Sequence, residues 1–81
     1  MSGISRYFGI FLGYLPYAGR VEFITYSNGT VFNLEVNEHL HKILQADYRY
    51  WFHLLGSGCC FYVDTDMKIQ RIKSSENFYF D

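Results

Sequence analysis

Proline is almost missing from this chain, cysteine is scarce, and neither sign of charge is in excess. With Pro16 alone and no repeat or low-complexity tract, 81 residues offer no linker at which to divide them, so one domain with one core is expected. The two cysteines, Cys59 and Cys60, are neighbours. Adjacent residues of a strand point to opposite faces, so a disulfide between them would be strained, and no third cysteine exists to pair with either. Reduced thiols in a cytoplasmic protein are the simplest reading. His39 and His41 add metal-capable atoms, but no Cys-x-x-Cys or His-x-x-x-His spacing is present, so no metal or cofactor is expected. Seven Lys plus Arg against eight Asp plus Glu leave a formal charge of −1, without the basic excess that drives non-specific nucleic-acid binding. No run approaches the roughly 20 apolar residues of a membrane-spanning helix, so no membrane association is expected. Arg6 followed by the apolar stretch 7–15 and Ala18 faintly resembles a secretion signal, but its glycines and tyrosines suit a strand better. Asn28-Gly29-Thr30 matches a glycosylation acceptor, which matters only in a secreted chain.

What is abundant is ring. Aromatic residues make up 21% of the chain and hydrophobic residues 49%, more than so small a body can enclose, so some rings are expected at the surface as a contact site. Asn28-Gly29 between two apolar runs is a strong signal for a two-residue hairpin turn. A turn of that length makes Ser27 and Thr30 its flanks and sets Thr25 opposite Phe32, Phe23 opposite Leu34, Val21 opposite Val36 and Glu22 opposite Glu35. Val21, Phe23, Phe32, Leu34 and Val36 then form a core face, and Glu22, Ile24, Tyr26, Val31, Asn33 and Glu35 share the other.

Around this hairpin, residues 7–15 read as a first strand that Gly9 and Gly13 allow to bend, and 20–26 and 30–36 as the second and third. Asn37 is a good helix cap, Glu38 adds favourable charge in the first turn, and Gly56 stands where a C-terminal stop belongs. Between them Leu40, Ile43, Leu44, Tyr48, Trp51, Leu54 and Leu55 recur at helical spacing. Asp47 projects into that apolar arc, which predicts a break near Ala46. Residues 59–63 and 67–73 read as the fourth and fifth strands about an Asp64-Thr65-Asp66 turn, and 76–81 as a tail beyond a domain of residues 1–75. The tail resembles a protease-site tag, but Phe78 and Asp81 depart from it and it reads as native. The expected class is mainly β with one helix: a small five-stranded OB-like barrel in the order β-β-β-α-β-β. An SH3-like barrel or an antiparallel sheet with one helix has the same signature.

Gly9, Phe11, Gly13 and Tyr14 fall without a gap on the Gly-x-Val-x-Trp-Phe strand of cold-shock domains, and Gly19 and Phe23 on the glycine and isoleucine of its Lys-Gly-Phe-Gly-Phe-Ile strand. Phe32-Asn33-Leu34-Glu35-Val36 is similar to that family's Val-Phe-Val-His-Phe strand, and residues 55–63 to its fourth strand. The resemblance implies the OB fold and single-stranded nucleic-acid binding by stacking on outward rings, each worth roughly 1–3 kcal/mol. The stacking positions depart from the family. Gly13, Arg20, Glu22, Asn33 and Glu35 stand where its rings and histidine would be, and Leu12 replaces its first-strand lysine.

The chemistry is therefore expected to be contact rather than catalysis. Glu22 and Glu35, if opposed, would split their pKa values and could act as an acid/base pair, but no nucleophile or oxyanion donor accompanies them. Glu22, Ile24, Tyr26, Val31 and Glu35 form the expected main contact face, an apolar patch rimmed with acid. Arg49, Tyr50 and Phe52 form a second, with the composition of interface hot spots. The reading is a small non-enzymatic protein-interaction module, with a protein partner or a second copy of itself, in the style of an inhibitor, an assembly subunit or a viral accessory protein. The alternative is a single-stranded nucleic-acid binder using the helix stripe Lys42, Arg49 and His53.

Overall fold

The computed structural model describes residues 3–46, 48–74 and 79–80, and of Tyr48, Tyr50, Tyr79 and Phe80 the backbone alone. The elements run β1 (Ser5–Leu15), β2 (Arg20–Thr25), β3 (Val31–Glu35), α1 (Glu38–Ala46), α2 (Tyr48–Phe52), β4 (Gly58–Val63), β5 (Ile69–Ser74) and β6 (Tyr79–Phe80). The strands make one sheet in the order β3-β2-β1-β4-β5-β6, antiparallel at every step. The chain is thus mainly β, with its helical segment between the third and fourth strands. The expected tail boundary at residue 76 lies outside the described residues; Tyr79 and Phe80 pair with Lys73 and Ile72 of β5.

The sheet is not closed into a barrel. After Glu35 a single parallel bridge joins Val36 to Ile69, and the Asn37 N–H donates to the Ile69 carbonyl at 2.9 Å. No further rung follows, because the next residues are already helix. Asn37 Oδ1 accepts the Leu40 N–H at 2.7 Å, the expected N-cap, while its Nδ2 donates to Gln70 Oε1 at 2.7 Å. Gln70 Nε2 in turn donates to Asp64 Oδ2 at 2.7 Å, and Asp64 Oδ1 accepts the N–H groups of Asp66 and Lys68. One asparagine therefore starts the helix and ties it to β5 and its turn. The expected helix break falls at Asp47, outside the described residues; α1 ends at Ala46 and α2 begins at Tyr48. Gly56, at φ +77°, is not the helix stop expected of it: α2 ends at Phe52 and three turn residues separate them.

The hairpin register departs from expectation by two residues. Val21 pairs with Leu34, Glu22 with Asn33, Phe23 with Phe32 and Arg20 with Glu35. The cause is where the turn is centred, between Ser27 and Asn28 rather than between Asn28 and Gly29. A two-residue type I′ turn needs positive φ at both Asn28 and Gly29, but only Gly29 has it, at +67°. Asn28 instead turns its side chain inward, and its Oδ1 accepts the Thr25 hydroxyl at 2.6 Å and the Thr30 N–H at 3.1 Å. Thr25 N–H donates to the Thr30 carbonyl, so residues 26–29 form a four-residue loop. A shift of two residues preserves the faces: Val21 and Phe23 are fully buried, Leu34 and Val36 nearly so, and Phe32 packs at the core's edge.

β1 is the spine, paired with β4 through its first half and with β2 through its second. The two halves diverge at a bulge between Phe11 and Gly13, close to the expected bend. Gly9 lets β1 and β2 meet, since a Cβ there would stand 2.1 Å from the Ile24 carbonyl oxygen. Beneath the sheet Phe11, Phe23 and Phe61 form a stack, with the Phe23 and Phe61 centroids 4.0 Å apart, and Leu40 and Leu44 of α1 close the core at zero exposure. Trp51 packs at its margin, edge-on to Tyr14.

Asn37→Ala removes the cap and the Gln70 tie together, and is expected to lower stability by about 1–3 kcal/mol in urea titration. Asn37→Asp, which keeps the cap acceptor, should recover part of that loss. Gly9→Ala is expected to prevent the β1–β2 ladder from forming, read as loss of the cooperative transition.

Candidate functional site

Strand pairing places side chains in rows across the outer face of the sheet, because directly opposed residues point the same way. On the hairpin side, Ile10 opposes Ile24, which opposes Val31. Tyr26 continues β2 past Thr25, its N–H held by the Phe8 carbonyl at 2.9 Å. Phe8, Tyr26 and Val31 are 56%, 62% and 55% exposed, with Ile10 and Ile24 half-buried between them. Of the expected contact face, Ile24, Tyr26 and Val31 are therefore brought together, and Phe8 and Ile10 join them from β1.

The two glutamates do not oppose each other. Glu22 faces Asn33, and Glu35 faces Arg20, whose Nη1 lies 3.6 Å from its carboxylate. The same guanidinium donates from Nε to Asn33 Oδ1 at 2.5 Å and from Nη2 to the Asn33 carbonyl at 3.0 Å. The acid/base pair considered from the sequence is thus replaced by an ion pair and an Arg–Asn clamp over the edge strand. So exposed an ion pair is worth less than about 1 kcal/mol, and its effect is to hold register and cover an edge carbonyl.

On the other side of β1, the rows read Arg6, Tyr62, Arg71 and then Phe8, Cys60, Lys73. The Arg71 guanidinium carbon lies 5.7 Å from the centre of the Tyr62 ring. Next to these rows Ile10 opposes Gly58, and the Tyr26 hydroxyl sits 2.5 Å from where a Gly58 Cβ would be. Small residues at 58 and 60 among large ones leave a groove of about 420 Å³, lined by Arg6, Phe8, Tyr26, Cys60, Tyr62 and Lys73 among others. A second depression of about 370 Å³ shares Arg6, Phe8 and Tyr26 with it. Arg6, Phe8, Tyr62 and Lys73 were not expected as site residues. Arg6-x-Phe8, Cys60-x-Tyr62 and Arg71-x-Lys73 do carry the period-two signal of one face, but β1 begins at Ser5 rather than at residue 7, and this brings Arg6 into the sheet.

The helix residues form a looser set. Lys42 is exposed and paired with Glu38 at 3.7 Å, the ordinary i,i+4 contact. Arg49 and His53 are exposed, and Phe52, 58% exposed, leans edge-on against Trp51. The side chain of Tyr50, expected beside Phe52, lies outside the described residues. Among the described residues no three His, Cys, Asp or Glu side chains stand together as a metal would require, and no helix is long and apolar enough to cross a membrane.

Two groups in the interior titrate abnormally. Burial, with repulsion from Cys60 second, pushes the Cys59 thiol from 9.0 up to about 11. Burial also raises the Tyr14 hydroxyl, which is hydrogen-bonded to His41 Nδ1 at 2.5 Å. Comparison of the chain with protein-family models, with curated proteins and with solved structures finds no match. Both shifts favour the neutral form in the folded state, so the unfolded chain releases these protons first as pH rises. Stability is expected to hold below about pH 9 and to fall steadily toward pH 11, read as the urea midpoint across that window. Cys59 in the native protein should resist iodoacetamide at pH 8.5 and react on unfolding.

Proposed function

We propose that the chain is a small non-enzymatic protein-interaction module, acting as an inhibitor or assembly subunit, and that its contact surface is the outer face of β1, β2 and β3. The observation that carries this reading is the run of Phe8, Ile10, Ile24, Tyr26 and Val31 over adjacent strands, with its outermost residues more than half exposed. Exposed hydrocarbon that is contiguous, rimmed by charge and built on a rigid sheet is what a protein partner covers. Glu22, Arg20 and Glu35 border it and would give a partner register more than affinity. The unpaired thiols are compatible with a reducing compartment, and the proposal assigns the role to the cytoplasm.

The OB-like barrel is the architecture this reading adopts. Its support is the spine role of β1, the parallel bridge from Val36 to Ile69, and a helix between β3 and β4 whose Leu40 and Leu44 plug the core. Extension of that one bridge into a ladder would close the sheet in the barrel manner.

Tyr26→Ala with Val31→Lys removes two of the most exposed side chains of the face without touching the core. A partner captured by the wild-type chain at fixed stoichiometry, or a dimer seen by light scattering, is expected to be lost in this variant, with the melting temperature lowered by no more than about 5 °C. Wild-type protein that stays monomeric, captures nothing, and binds oligonucleotides with a steep salt slope would overturn the reading.

A further inference from the structure

The groove on the other half of the sheet has a different chemistry from the apolar face beside it. Its rows alternate cation and ring: Arg6, Tyr62 and Arg71 in one, Phe8, Cys60 and Lys73 in the next. Tyr26 stands over Gly58 as a wall, and the Cys60 side chain, only 8% exposed, is the floor. No Asp or Glu is among the described residues that line it, although the chain as a whole is slightly acidic. At about 420 Å³ the groove falls in the size range of small-molecule sites.

We propose that this groove binds a small aromatic anion, a flat ring carrying a phosphate or carboxylate group. The ring fits against the Phe8 and Tyr26 rings above Cys60, beside the space over Gly58 that the Tyr26 hydroxyl fills. The anionic group meets the Arg6 guanidinium, which is exposed at the groove mouth and presents a planar fork suited to two oxygens. Lys73 adds positive potential from the opposite wall whatever else it contacts. The groove lies mainly on β1, β4 and β5 but shares Phe8 and Tyr26 with the apolar face, so a partner covering that face and the anion compete for these two rings.

Amide chemical-shift titration of the intact chain tests this, with phenyl phosphate and adenosine 5′-monophosphate as probes, and adenosine and inorganic phosphate as half-probes. Saturable shifts at Phe8, Cys60 and Tyr62 are expected with the two aromatic anions, and about tenfold weaker binding with either half-probe. Arg6→Gln should weaken the phosphate-bearing probes about tenfold and leave adenosine unchanged. Phe8→Ala, at an exposed ring outside the core, should weaken all ring-bearing probes and leave the melting curve in place. Equal binding of adenosine and its monophosphate, indifference to Arg6→Gln, or absence of shifts at the groove overturns the proposal. Tight binding of a single-stranded oligonucleotide with no binding of either small probe overturns it too.

Discussion

The hairpin loop of residues 26–29 is the constraint on which the outer surface depends. Gly29 alone takes positive φ, and Asn28 spends its side chain on Thr25 and Thr30, so the loop holds four residues. The pairing that follows sets Arg20 against Glu35 and leaves Glu22 opposite a neutral asparagine. A two-residue turn at Asn28-Gly29 would have set Glu22 against Glu35 and moved Arg20 out of register with the edge strand. The electrostatics of the face are thus a consequence of backbone geometry at one glycine.

The same economy shapes the groove. Large side chains alternate with cations along β1, β4 and β5, and the depression exists because positions 58 and 60 are small. Gly9 contributes one row away, since only a residue without Cβ lets β1 run so close to the Ile24 carbonyl. The wall at Tyr26 then follows from its backbone bond to Phe8. Core and surface are linked through Asn37, which joins the helix start to β5 through Gln70 and so holds the partly closed side of the sheet.

Much of this was legible in the residues themselves. Period-two alternation sorted the hairpin into its true faces, because a register shift of two leaves every side chain on its own side. Asn37, Leu40 and Leu44 marked a helix with its cap and its buried stripe, whereas Gly56 stands among the turns that follow α2. The turn length was not legible. Asn-Gly suits both a two-residue and a four-residue loop, and the choice depends on whether the Asn28 amide is drawn to Thr25, a tertiary matter. The groove was missed for a related reason: Arg6, Tyr62 and Lys73 are far apart in sequence, and only the β1–β4–β5 register brings them into adjacent rows. Barrel closure depends on how many rungs form after Val36, and helix capping at Asn37 competes directly with that extension.

The hairpin register carries the account of both the face and its charges, and it has a direct spectroscopic signature. Glu22 and Asn33 are opposed at a position between the hydrogen-bonded pairs, where facing Cα atoms approach to about 4.5 Å and the two Hα protons are in close contact. A two-dimensional nuclear Overhauser spectrum is predicted to show a strong Hα–Hα cross-peak between Glu22 and Asn33. A cross-peak between Glu22 and Glu35 in its place would contradict the register, and with it the ion pair, the edge cover and the face built on them.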